Sequence, residues 1–188
     1  MTHSIGDGGA RRRFIGRSIW WAVPGVLLAV ALGYALSPPM RELGGPGARL
    51  AMAARWLVVA LLPYAAVCVH IVAARFFEGA HDPLAGTESE RLKIHCRVMQ
   101  NTLEQLVWFT VCILALATLL GPTEARVVPV LCVVFAVARF VYWWGYLRHG
   151  TLGRAPGVQM SFTINIALLA AVVVLLVRSL VGAGGGGW

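Results

Sequence analysis

Charge is what this sequence has least of. Only 13% of its 188 residues are Asp, Glu, Lys or Arg, against about 25% in an ordinary soluble domain. Lysine is nearly missing, with Lys93 alone beside fifteen arginines. With 59% hydrophobic residues and a mean hydropathy of +0.75, apolar runs of near-spanning length exclude a soluble globular domain and imply an integral membrane protein. The four cysteines, Cys68, Cys96, Cys112 and Cys132, lack paired spacing. That excludes a zinc signature and a disulfide framework, so no metal is expected and each reads as a small apolar packer. No internal repeat and no pair of interrupted helices of the transporter kind is present.

The net charge of +8 does not point to nucleic acid, because the cations stand at the ends of apolar segments, where membrane orientation accounts for them. The first 17 residues, Gly-rich and then basic at Arg11, Arg12, Arg13 and Arg17, read as disordered. A span follows over residues 18–37, closed by Ser37-Pro38-Pro39. Arg11-Arg12-Arg13-Phe14-Ile15 resembles a twin-arginine signal, and Ala35-Leu36-Ser37 offers small residues for cleavage. Against removal, Pro38 would follow the cut and Trp20-Trp21 suits an interfacial anchor, so the helix is expected to be retained. A second span covers about 50–77, with Pro63 and His70 inside it, the histidine expected as a packed, hydrogen-bonded residue. After a polar connector, a third runs to about Leu120, where Gly121-Pro122 stops it. Arg126 opens a fourth that ends near Arg148. His149–Pro156 reads as a basic turn, the last span covers about 158–181, and residues 182–188 form a Gly-rich tail expected to be flexible.

Five spans place Arg11, Arg12, Arg13, Arg17, Arg75, Arg91, Lys93, Arg97, Arg148 and Arg154 on one side. Arg41, Arg49, Arg55, Arg126 and Arg178 fall on the other. Ten against five predicts that the first side is cytoplasmic, with the N-terminus inside and the C-terminus outside. Arg-rich, Lys-poor usage and the possible twin-arginine signal suggest a bacterial inner membrane.

Two polar stripes interrupt the apolar pattern. Arg97, Asn101 and Glu104, at offsets 0, +4 and +7, share one helix face, as do Arg139, Tyr142 and Tyr146 at 0, +3 and +7. Ionisable groups in such places are costly and are a functional-site hypothesis by default. Helical rise sets Glu104 about 10 Å below Arg97 and Arg139 about 13 Å below Arg148. The spacing therefore predicts a Glu104–Arg139 ion pair at the floor of a polar cleft, with Asn101 level with Tyr142. The bland alternative is an interhelical lock, with the tyrosines and Asn101 as glue. Arg148 and Arg154 at the rim supply more donors than one carboxylate uses, which favours an anionic, hydrogen-bonding small molecule.

Arg-x-x-x-Asn-x-x-Glu in one span, Ala-Arg-x-x-Tyr-x-x-x-Tyr in the next, and Arg-Ala-Pro-Gly before the last together resemble the MAPEG family, membrane-associated proteins in eicosanoid and glutathione metabolism. The resemblance covers about residues 50–181. It implies an all-α, four-helix membrane bundle, here with one extra N-terminal transmembrane helix, assembled as a homotrimer with glutathione between neighbouring subunits as co-substrate. Carried over by motif, Arg97, Asn101, Glu104, Tyr142 and Tyr146 would bind glutathione, with Arg75 and Arg148 for its carboxylates. Arg154 would stabilise the thiolate as the catalytic residue. The second substrate would be a lipophilic electrophile or hydroperoxide arriving from the bilayer. Lys93-Ile94 stands where family members often have Glu-Arg, and Gln105 where the leukotriene branch has a tyrosine. A non-catalytic member that binds a membrane lipid or a partner protein is the competing expectation.

Overall fold

The computed structural model describes residues 5–40, 43–80, 82 and 86–184. Five long helices account for nearly all of them: α1 (Ile5–Leu36), α2 (Pro46–Glu78), α3 (Glu90–Leu119), α4 (Val127–Gly153) and α5 (Ala155–Gly184). A 3-10 turn at Glu124–Arg126 precedes α4. Each helix is long and apolar enough to cross a bilayer, and no strand occurs among the described residues. The fold is thus an all-α membrane bundle of four helices, α2 to α5, plus one. Local chemistry sets the ends. Pro46 opens α2, where its missing N–H costs nothing, and Gly79 closes it at φ +68°. Ser89 caps α3 by accepting from the Leu92 N–H.

The centre of the bundle is apolar. Phe109 of α3 and Phe135 of α4 stack at 4.3 Å, with Ile113, Val128 and Cys132 fully buried around them. Between α3 and α5, Asn165 Nδ2 donates to both the backbone carbonyl (3.0 Å) and the side-chain Oε1 (2.9 Å) of Gln105. Such bonds join helices that the hydrophobic effect cannot hold together in lipid. Arg49, 6% exposed, donates to the carbonyls of Ala117, Leu43 and Gly44, each at 3.2 Å, tying the start of α2 to the end of α3. Arg49→Leu strands those carbonyls and should cost about 2 kcal/mol, read as a lower unfolding midpoint in detergent; no change would mean that water or lipid headgroups serve them equally well.

Two boundaries differ from the sequence expectation. Of the segment expected to be disordered, residues 1–4 lie outside the described residues and the rest is helical from Ile5 onward. Ala10 to Arg13 are good helix formers that extend a nucleated helix at little cost, and α1 is seated at this end, where Gln159 Nε2 donates to the Ile15 carbonyl at 2.9 Å. The expected flexibility of the tail falls partly on residues 185–188, outside the described residues, while α5 itself reaches Gly184. The second difference is the turn at 149–156. Only His149 (φ −130°, ψ 16°) and Gly150 (φ 58°, ψ −141°) leave the helical region. α5 then starts at Ala155 with Pro156 tolerated in its first turn.

That compact reversal is made by glycine. Gly150 supplies the positive φ. Gly145 and Gly153 lie back to back, since a Cβ on either would overlap the other's carbonyl. Along the same seam Gly157 lies against the Tyr142 backbone, and Arg139 reaches Ser161. Small residues let α4 and α5 approach this closely.

Candidate functional site

The α4–α5 reversal folds Arg154 back over the aromatic stripe of α4. Its guanidinium lies 5.0 Å from the centroid of the Tyr146 ring and next to the Tyr142 hydroxyl. A pocket of about 240 Å³ opens there, lined by Asn101 of α3, Tyr142 of α4, Thr151 and Arg154 of the reversal, Ala155, Val158 and Gln159 of α5 and, as its cover, Ile15 of α1. Of the residues singled out in the sequence, Asn101, Tyr142 and Arg154 therefore converge, and Tyr146 adjoins them. Asn101 and Tyr142 line the same pocket, in keeping with their common depth.

The Glu104–Arg139 ion pair is not formed. Arg139 is 1% exposed and donates to Thr102 Oγ1 (2.8 and 3.3 Å), Asn101 Oδ1 (3.0 Å) and Ser161 Oγ (3.2 Å). Its guanidinium also covers the Tyr142 ring at 4.1 Å. Glu104 is exposed and accepts only from Gln100 Nε2, one turn away, at 3.3 Å. Helical rise gives equal depth, but facing direction decides contact. Thr102 is two residues, hence about 200°, from Glu104, and Thr102 is the residue turned into the bundle. No carboxylate pairs with Arg139 among the described residues; neutral oxygens and a π face hold a cation that hydrocarbon would otherwise exclude.

The rest of the expected binding set lies outside the pocket. Arg97 and Glu104 share the outer face of α3, with Asn101 half-buried at its edge. Arg148 is exposed and lies over the Trp144 ring at 4.4 Å. Arg75 pairs with Glu88 at 2.7 Å. His70, expected as a packed histidine, is exposed. Its ring lies 4.1 Å from that of His95, tilted by 52°, and His95 is the buried one, its Nδ1 accepting from Trp143 Nε1 at 2.9 Å. All four cysteines are free.

Thr151, Gln159, Thr102 and Ser161 are site residues that the two stripes do not include. Gln159 carries a usable signal, being one of two amides, with Asn165, in the mainly apolar last span. Ser and Thr carry none, because they are ordinary in membrane helices.

No curated protein and no solved structure matches this chain significantly. The model of the MAPEG family matches residues 52–174, from early α2 to late α5 and including every residue of the pocket except Ile15. α1 lies outside that segment. A five-helix membrane chain whose four-helix core carries that match belongs to the MAPEG family.

Proposed function

We propose that this protein is a membrane-bound, glutathione-dependent transferase or peroxidase acting on lipophilic electrophiles through a thiolate stabilised by Arg154. The observation that carries the reading is the position of Arg154 beside Tyr142, Tyr146 and Asn101 in a small pocket of mixed polar and apolar lining. A free thiol titrates near 8.5, so a guanidinium beside the sulfur raises the thiolate fraction at neutral pH and supplies the nucleophile. The thiolate attacks an electrophilic carbon delivered from the bilayer, displacing its leaving group or adding across a polarised double bond that then takes up a proton. With a hydroperoxide it attacks the terminal oxygen, the O–O bond breaks and the alcohol leaves after protonation. A second glutathione converts the resulting sulfenic acid to the disulfide and water.

Size supports a shared site. At about 240 Å³ the pocket falls short of the roughly 300–1,000 Å³ usual for small-molecule sites. It suits the cysteinyl part of glutathione, leaving the carboxylates and amino group for the outer face of α3, where Arg97 and Glu104 are exposed. A neighbouring copy in a homotrimer would enclose that half, with Arg75 and Arg148 as further cations. The arginine asymmetry supports a cytoplasmic position for this end, and the Arg-rich, Lys-poor usage supports a bacterial inner membrane as its setting.

One observation favours a non-catalytic, lipid- or protein-binding member. Asn101 already accepts from Arg139 and Arg75 is already paired with Glu88, so two expected ligand contacts are occupied within the chain. Ultraviolet difference absorbance of the detergent-purified protein titrated with glutathione at neutral pH separates the readings. A saturable thiolate band that vanishes in Arg154→Ala is expected. A folded wild-type protein that gives no band would sink the transferase reading.

A further inference from the structure

α1 leans across the bundle. Near its start it is fixed to α5 by the Gln159–Ile15 bond, with Ser18 and Ala22 buried just beyond. Near its end it is fixed to α4. Arg126 Nη1 donates to the Ser37 carbonyl at 2.8 Å, and a Cβ on Gly33 would stand 2.6 Å from Val130 Cγ1. Passing from one helix to the other, α1 opens a wedge, and an apolar cavity of about 460 Å³ fills it. Its floor, including Val26, Leu131, Ile164 and Leu168, is buried. Its lips, Leu27 and Ala31 on α1 and Ala167 and Ala171 on α5, are exposed.

From Ile164 to Leu175 the shaft is about 16 Å long by helical rise, close to half of the roughly 30 Å hydrocarbon core. That is the depth of one leaflet. The outer end is cationic. The Arg126 guanidinium lies over the Tyr34 ring at 4.1 Å, its Nε is buried without a partner, and Tyr34 lines the cavity. Arg178 is exposed one turn beyond Leu175. Glu124 is the one acid at this end among the described residues.

We infer that this groove is a specific site for one acyl chain of an acidic phospholipid, drawn from the leaflet on the side where α1 ends. Its phosphate meets Arg126 and Arg178, and its chain lies between α1 and α5. The site is at the opposite end of the bundle from the Arg154 pocket, and stands whether or not that pocket binds glutathione.

Native mass spectrometry of the full chain tests it, after exchange into detergent with equimolar phosphatidylglycerol and phosphatidylcholine of identical chains. Wild type should retain one phosphatidylglycerol per chain. Each arginine near an anionic headgroup contributes about fivefold in preference, so Arg178→Gln should reduce the preference by about that factor. Ala31→Phe, at an exposed lip where folding is least burdened, should displace both lipids. Ala171→Phe does the same from the facing wall and covers the case in which either variant folds poorly. Equal retention of the two lipids by wild type, an unchanged preference in Arg178→Gln, or full lipid retention in both folded phenylalanine variants would overturn the inference. So would retention of free fatty acid in place of phospholipid.

Discussion

Arg139→Ala is expected to lower the unfolding midpoint in detergent by on the order of 10 °C, whereas Glu104→Gln leaves it unchanged. The alanine removes charged hydrogen bonds to Thr102, Asn101 and Ser161, worth about 1.5–3 kcal/mol each before relaxation. It also leaves a void under Tyr142. The hydroxyls recover part of this through backbone carbonyls, as Ser161 already does with Gly157, so the net loss should be about 3–5 kcal/mol. For a chain of this length that is roughly 2–4 °C per kcal/mol. Arg139→Met, which keeps much of the stem volume, should lose about half as much, separating the bonds from the void. Glu104 is exposed and accepts from Gln100 one turn away, and exposed changes of this kind stay within about 0.5 kcal/mol. A Glu104→Gln loss matching that of Arg139→Ala would show that the two charges are paired after all, through a neighbouring subunit.

Gly157→Leu should cost about 3 kcal/mol and, with it, the pocket. Any Cβ at this position meets the backbone of Tyr142, with 2.7 Å to the Tyr142 Cβ. Backbone cannot swing aside as a side-chain tip can, so α4 and α5 must separate, and overpacking of this kind costs about 1–3 kcal/mol, occasionally more. Tyr142 and Arg154 stand on opposite sides of that contact. The Arg154-dependent thiolate band should therefore weaken more than residual stability alone explains. Gly25→Ala is the control: its Cβ meets nothing within 4 Å, and replacing a mid-helix glycine should gain roughly 0.5–1 kcal/mol. Equal behaviour of the two variants would show that the seam can yield.

The contrast between Asn101 and Glu104 shows what the sequence could and could not reveal. Spans, their order and the stop at Gly121-Pro122 follow from hydropathy and from residues whose effect is local. Depth follows too, because rise per residue is fixed, and Asn101 and Tyr142 line one pocket. Facing direction does not follow, since it depends on which neighbours pack where. Arg97, Asn101 and Glu104 do share a face, but that face turns outward, and Thr102 beside it satisfies Arg139. The reversal at His149–Gly150 hid for another reason. Its polar composition reads as a loop, while glycine contacts at 145, 153 and 157 draw it into nearly continuous helix. Ile15 as the pocket's cover was out of reach entirely, because its partner lies 144 positions away.

Synthesis proceeds from α1 to α5, so of these five spans α1 waits longest for its seat. Its anchor at Arg126 is 89 positions downstream and its anchor at Gln159 is 144. While α2 and α3 are being made, α1 must hold its depth alone. Arg13, Arg17, Trp20 and Trp21, all exposed, are the interfacial residues that can do so. Assembly order therefore makes the seating of α1 a report on α5: a nascent chain halted before α5 lacks the Gln159 donor for the Ile15 carbonyl, and one that includes α5 has it.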